Sequence, residues 1–218
     1  MPTQSDVISA VHGGDIEKIK SLLHADSSLA ASRDERSVSA LMHAYYRGRK
    51  DIAELFLNSR SDLDIFETIV AARADSVTAI LARDPGQATN WSGDGFTPLH
   101  FAAFFNQPAI ARELIGSGAD AGAVSMNPME VTPLHSAAAA RATEIVRLLV
   151  EHGAPVNAKQ HGGWTALHAA ADNGDEDMVK ILLQHGADPL AQNDDGKTPA
   201  QIAQLKGRVE ALKLLSAA

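Results

Sequence analysis

One four-residue word recurs along the second half of this 218-residue chain. It reads Thr97-Pro98-Leu99-His100, Thr132-Pro133-Leu134-His135, Thr165-Ala166-Leu167-His168 and, eroded, Thr198-Pro199-Ala200-Gln201, with starts 35, 33 and 33 residues apart. A period this short means that one supersecondary unit is stacked on copies of itself, because such a unit cannot bury its own apolar face and must lean on its neighbours. Each copy continues into an alanine pair (Ala102-Ala103, Ala137-Ala138, Ala170-Ala171), then an apolar segment such as Ile145-Val146-Arg147-Leu148-Leu149-Val150, and closes on Gly118, Gly153 or Gly186. Threonine is a favoured N-cap, and proline after it sits where its missing N–H costs nothing. The apolar positions i, i+1, i+4 and i+5 predict a second helix, which a glycine can end in the left-handed conformation.

The first 96 residues look irregular until they are compared with the following block. Asp26 and Asp84 each follow an apolar helix end and each precede a motif start, Ser39 and Thr97, by 13 residues. Residues 6–57 are thus a degenerate copy of 64–115 at an offset of 58, with Ser39-Ala40-Leu41-Met42 standing where Thr97-Pro98-Leu99-His100 stands. Each copy holds one short unit without a finger loop and one full unit.

The period, the Thr-Pro-Leu-His word, the alanine pairs and closures such as Gly118-Ala119-Asp120 and Gly186-Ala187-Asp188 resemble the ankyrin-repeat family. The resemblance implies an all-α solenoid: a single domain over residues 1–218 with about seven helix-turn-helix units starting near 6, 34, 64, 91, 126, 159 and 192. The first three units are degenerate. Gln201, Gln204, Lys206, Arg208 and Lys213 make the last a polar cap. The resemblance also assigns Thr97, His100, Thr132, His135, Thr165 and His168 a structural role, the histidines hydrogen-bonding within and between units.

Composition narrows the function. Aromatics are only 5% of residues, as expected of helices that touch through small side chains. With no cysteine, disulfides and thiolate metal sites are excluded. Residues 1–11 carry neither a basic stretch nor an apolar run suited to a signal peptide, so a cytoplasmic location without membrane attachment is expected. A net charge of −8 argues against nucleic acid as partner. Nine histidines invite a metal. However, His100, His135 and His168 lie one helix-packing distance apart, roughly 8–10 Å, and zinc needs nitrogens at about 2.0–2.1 Å. No metal or other cofactor is expected. Gly116-Ser117-Gly118 ends a helix instead of joining a strand to one, so it is no dinucleotide loop. His161-Gly162-Gly163-Trp164 lacks a Gly-x-Ser-x-Gly partner and falls where a finger turn belongs.

The aromatics are more informative. In the family, the residue before the motif Thr, the finger tip and the two residues after the alanine pair face the concave groove. Those slots hold Phe96 and Trp164, Trp91, and Phe104, Phe105 and Tyr46: six of the ten aromatics. Tyr45 and Phe101 occupy adjacent, half-buried positions, while Phe56 and Phe66 read as core. Six such side chains present at most about 900–1,500 Å², whereas monomers seldom expose apolar patches beyond a few hundred. The finger from Ser125 to Val131 is two residues longer than its neighbours and carries Met126 and Met129, which are adaptable contact residues. Charge runs from net +2 over residues 27–60 to net −5 over 159–195.

The expected function is a non-enzymatic protein–protein interaction module. Its expected partner-binding residues are Tyr46, Trp91, Phe96, Phe104, Phe105, Met126, Met129, His161, Trp164 and Asp172. The alternatives are a small-molecule or active site in the aromatic groove, with Asp94, His161 or Asp172 as its polar groups, and homodimerisation through the same patch.

Overall fold

A computed structural model describes all 218 residues. Fourteen α-helices pair in chain order. The first three pairs are α1 (Gln4–Gly13) with α2 (Ile16–Ala25), α3 (Ala40–Tyr46) with α4 (Lys50–Ser59), and α5 (Ile65–Val70) with α6 (Ala74–Arg83). Then follow α7 (Pro98–Phe104) with α8 (Pro108–Gly116), α9 (Pro133–Ala139) with α10 (Thr143–Glu151), α11 (Ala166–Asn173) with α12 (Glu176–Gln184), and α13 (Pro199–Leu205) with α14 (Val209–Ser216). First helices pack on first helices and second on second, as a solenoid requires. The paired alanines from Ala102 to Ala171 are fully buried where first helices meet, so those backbones approach closely. The expected polar residues of the last pair, Gln201, Gln204, Lys206, Arg208 and Lys213, are all exposed. No helix is long and apolar enough to cross a membrane.

The 58-residue internal copy is visible in the backbone. Asp26 and Asp84 each end a second helix and cap a short 3-10 turn, Ser27–Ala31 and Pro85–Thr89, by accepting hydrogen bonds from the Ser28 and Gly86 amides. The predicted glycine stops also hold, with Gly118, Gly153 and Gly186 all left-handed at φ 92°, 81° and 85°.

The buried core falls into two parts. Thirteen residues from Val7 to Phe56 form one, and 39 from Val38 to Leu215 form the other, with the half-buried Tyr45 packed against both. Phe56 and Phe66 are core, as expected.

Each motif histidine is a joint. The Thr97 N–H and Oγ–H donate to Nδ1 of His100 at 3.2 and 2.7 Å, so Nε2 carries the proton and donates to the Val131 carbonyl at 3.0 Å. His135 repeats this toward the Ala158 and Trp164 carbonyls at 3.0 and 3.2 Å, and His168 toward Lys197 at 3.0 Å. Because the charged form would lose both its water and its acceptor nitrogen, burial pushes all three below the ordinary histidine value, His100 to about 4. In the last pair Gln201 takes the same place, its Oε1 accepting from the Thr198 amide at 2.9 Å.

The third pair uses charge instead, which sequence reading missed. Asp64-Ile65-Phe66-Glu67 occupies the motif slot, with Asp64 and Glu67 forming a reciprocal capping box. Glu67 is fully buried and accepts two hydrogen bonds from Arg60, at 3.2 and 3.1 Å. Arg33 donates to Asp64 at 2.7 Å and to the Ser37 carbonyl at 2.8 Å.

Two outcomes follow. A histidine whose native pKa lies below its unfolded value contributes stability that is complete above about pH 6.5 and is lost as pH falls toward 4. By pH 5 His100 alone should cost about 2 kcal/mol. His100→Gln, patterned on Gln201, should flatten that loss, as urea unfolding at pH 7 and pH 5 will show. Arg60→Ala should destabilise by about 3 kcal/mol, since it leaves the buried Glu67 carboxylate with only the more distant Arg33, at 3.7 Å, as counter-charge. Arg112→Ala, which breaks an exposed 3.3 Å pair with Glu144, should cost under about 1 kcal/mol in the same assay.

Candidate functional site

The first helices of the second and fourth pairs end on aromatic residues. Tyr46 follows its motif start by seven residues, as does Phe104. At that distance the side chain lies beyond the helix–helix contacts, and Tyr46 and Phe104 are 42% and 54% exposed. Phe105 and Phe96 are half-buried beside them. Together with Met129, which is exposed on the long finger, they line one cavity of about 250 Å³.

The rings are held from beneath. Phe101 stacks with Tyr46 at a centroid distance of 6.3 Å and meets Phe96 and Phe66 edge-on at 5.9 and 5.5 Å. Phe104 and Phe105 are perpendicular at 5.4 Å. Phe101 was expected to be half-buried; it is only 4% exposed and forms the cavity floor, because three aromatic neighbours enclose it.

The finger loops form the other wall. The Met126 amide donates to the Gly95 carbonyl at 2.9 Å, His161 to Met129 at 3.0 Å, and Asp194 to Gly162 at 3.0 Å, so successive fingers run in one row. Asn127 organises the longer finger, donating to the Asp94 carbonyl at 2.9 Å and accepting from the Met129 amide at 3.0 Å. The third pair has no finger, and its neighbours close the gap. A Cβ on Gly93 would lie 1.6 Å from the Arg36 carbonyl oxygen, so only glycine permits that approach. Across the gap, the Tyr46 hydroxyl donates to Asp94 at 2.6 Å, and Ser92 donates to the other carboxylate oxygen at 2.5 Å. Burial, reinforced by the Asp94 charge, holds the Tyr46 hydroxyl protonated far above the usual tyrosine range.

Five of the ten expected site residues therefore meet in the cavity: Tyr46, Phe96, Phe104, Phe105 and Met129. The other five do not line it. Trp91 and Met126 are exposed on their fingers, His161 is exposed on the next, and Trp164 is half-buried against His168 at 5.6 Å. Asp172 pairs with Lys206 at 3.0 Å. Sequence reading missed Val131, Ser136, Ala139 and Gln160, which complete the lining. The missed signal was a small residue: Ala139 occupies in the fifth pair the slot that Phe104 fills in the fourth, and its lack of a ring leaves the space open. No charged side chain lines the cavity, and both His100 and His135 have their ring nitrogens engaged. The site thus offers apolar contact, plus hydrogen bonds from Ser136 and Gln160.

A family model for ankyrin repeats (three copies) matches residues 7–125, 68–160, 122–193 and 158–218. Among curated relatives, Ankyrin repeat and SOCS box protein 5 of Bos taurus is 46% identical over 63 residues, covering 29% of this chain and 18% of that protein. Human Neurogenic locus notch homolog protein 4 is 40% identical over 79 residues, 34% of this chain and 4% of its own length. Transient receptor potential cation channel subfamily A member 1 of Drosophila melanogaster is 26% identical over 151 residues, 69% of this chain and 11% of its own. The chain spans less than a fifth of each of these relatives.

Tyr46→Phe should cost about 1–2 kcal/mol, the worth of a hydrogen bond to a charged acceptor. Amide exchange should accelerate in residues 92–96 before it does in the helices.

Proposed function

This chain belongs to the ankyrin-repeat family, whose repeats are generally protein–protein interaction modules, and from that premise we propose that it binds a partner protein, without catalysis, through its aromatic groove. The supporting observation is the cavity in which Tyr46, Phe96, Phe104, Phe105 and Met129 converge. Two of those rings are about half exposed beside the half-buried Phe96 and Phe105, and a solvated aromatic wall is what an interface core needs. Trp91, Met126, His161, Trp164 and Asp172 extend the contact along the fingers and the first-helix ends. The whole chain acts as one domain, with units beginning near 6, 34, 64, 91, 126, 159 and 192.

Capture from the native host with the wild type and with Phe104→Ala/Phe105→Ala provides the test. Proteins recovered by the wild type should bind the variant at least about 100-fold more weakly, the scale of two anchor residues. The melting temperature should move by only a few degrees. Equal recovery with both, or a collapse of stability with binding intact, would show that these rings serve the core.

A further inference from the structure

Ser136 on α9 and Gln160 on the next finger are the only polar side chains besides the two engaged histidines and Tyr46 that line the cavity, and neither hydrogen-bonds within the protein. The space between them and the Phe104 and Phe105 rings, about 250 Å³, is smaller than the 300–1,000 Å³ that enclose drug-sized ligands. It suits one large side chain. An apolar slot with a hydrogen-bonding end and no charge excludes lysine, arginine and carboxylates, and it matches a ring that is apolar along its body and polar at its tip. Tyrosine and tryptophan are the two side chains of that kind. On one flank of the cavity Arg47, exposed and without an acidic partner, follows Tyr46. On the other, Asp194 and Asp195 are exposed on the finger that hydrogen-bonds to Gly162.

We propose that the cavity is an anchor pocket for a single tyrosine or tryptophan side chain of a partner's extended segment, its polar tip on Ser136 and Gln160 and a basic residue lying toward Asp194 and Asp195. This rests on the groove reading above and names what the groove recognises. The backbone of the segment runs along the fingers, so the charges at the two ends set its direction.

The test uses the full chain with isotope-labelled methionine and alanine methyls and short capped probes. N-acetyl-tryptophanamide and N-acetyl-tyrosinamide should shift the Met129 and Ala139 methyls and bind about three- to tenfold tighter than N-acetyl-phenylalaninamide, the factor one net hydrogen bond supplies. Ser136→Ala/Gln160→Leu should erase that preference while phenylalaninamide still binds. Ala139→Leu, at an exposed position, should block all three and leave the fold intact. Ac-Trp-Gly-Gly-Lys-NH2 should bind about two- to fivefold tighter than its glutamate counterpart, and Asp194→Asn/Asp195→Asn should abolish the difference.

The inference is overturned if phenylalaninamide binds as well as the polar-tipped rings, or if the methyls do not respond. It is equally overturned if free indole or p-cresol binds as tightly as the amides, which would mark a small-molecule site, or if the methyls shift with protein concentration alone, which would mark a second copy. Loss of partner capture in Phe104→Ala/Phe105→Ala together with silent methyls would sink the anchor and leave the groove reading standing.

Discussion

Register along the C-terminal half of the molecule is carried by a buried, uncharged imidazole. Each motif histidine accepts hydrogen bonds from the threonine that caps its own helix and donates its Nε2–H to a backbone carbonyl of the next unit. Three of those carbonyls belong to Val131, Trp164 and Lys197, the residues that immediately precede the next capping threonine or its eroded copy. One cap thus reads the position of the next. The relay needs a single tautomer, since a protonated Nδ1 could not accept from threonine, and burial enforces it by disfavouring the charged ring. Finger spacing, and with it the wall of the groove, follows from these joints.

The N-terminal half solves the same problem with different chemistry. Met42 stands in the histidine slot and has no donor to offer, so the joint between the second and third pairs passes to Arg33, which holds the Ser37 carbonyl and the Asp64 carboxylate together. Glu67 then occupies the slot of the third pair, its charge balanced by Arg60. A neutral ring satisfied on both nitrogens has become a buried ion pair, which is worth little net but costs several kcal/mol to break. The core divides in the same neighbourhood, with only Tyr45 touching both parts.

What sequence could show depended on whether the signal was a residue or a space. The 33-residue word, the glycine stops and the Asp26/Asp84 correspondence are local and periodic, and each marks a cap or turn that forms as expected. The motif histidines were legible because the Thr-Pro-Leu-His word repeats and the family it resembles gives them that role. Asp64 and Glu67 were not, because a charged capping box shares no letters with Thr-Pro-Leu-His and its arginine partners, Arg33 and Arg60, lie outside the motif. Four of the twelve lining residues, Tyr46, Phe96, Phe104 and Phe105, were legible as aromatics in outward slots, and Met129 as part of a long finger. The rest was hidden, since Ala139 matters for what it fails to fill and Trp91 and Trp164 occupy slots the cavity does not reach.

Those two kinds of absence together make the groove. With no finger on the third pair, the loops around Arg36 and Gly93 come into contact, and Tyr46 can reach Asp94 from a helix that would otherwise lie one unit too far away. That hydrogen bond turns the tyrosine ring onto Phe101, so the N-terminal wall of the cavity is set by a deletion. At the opposite wall Ala139 stands in the slot that Phe104 fills one unit earlier, and the long finger brings Met129 over the opening. A regular array with a finger on every unit and an aromatic in every slot would stack its rings on one another and leave no room. Irregularity in the repeat, and not the repeat itself, supplies a place that a partner's side chain can enter.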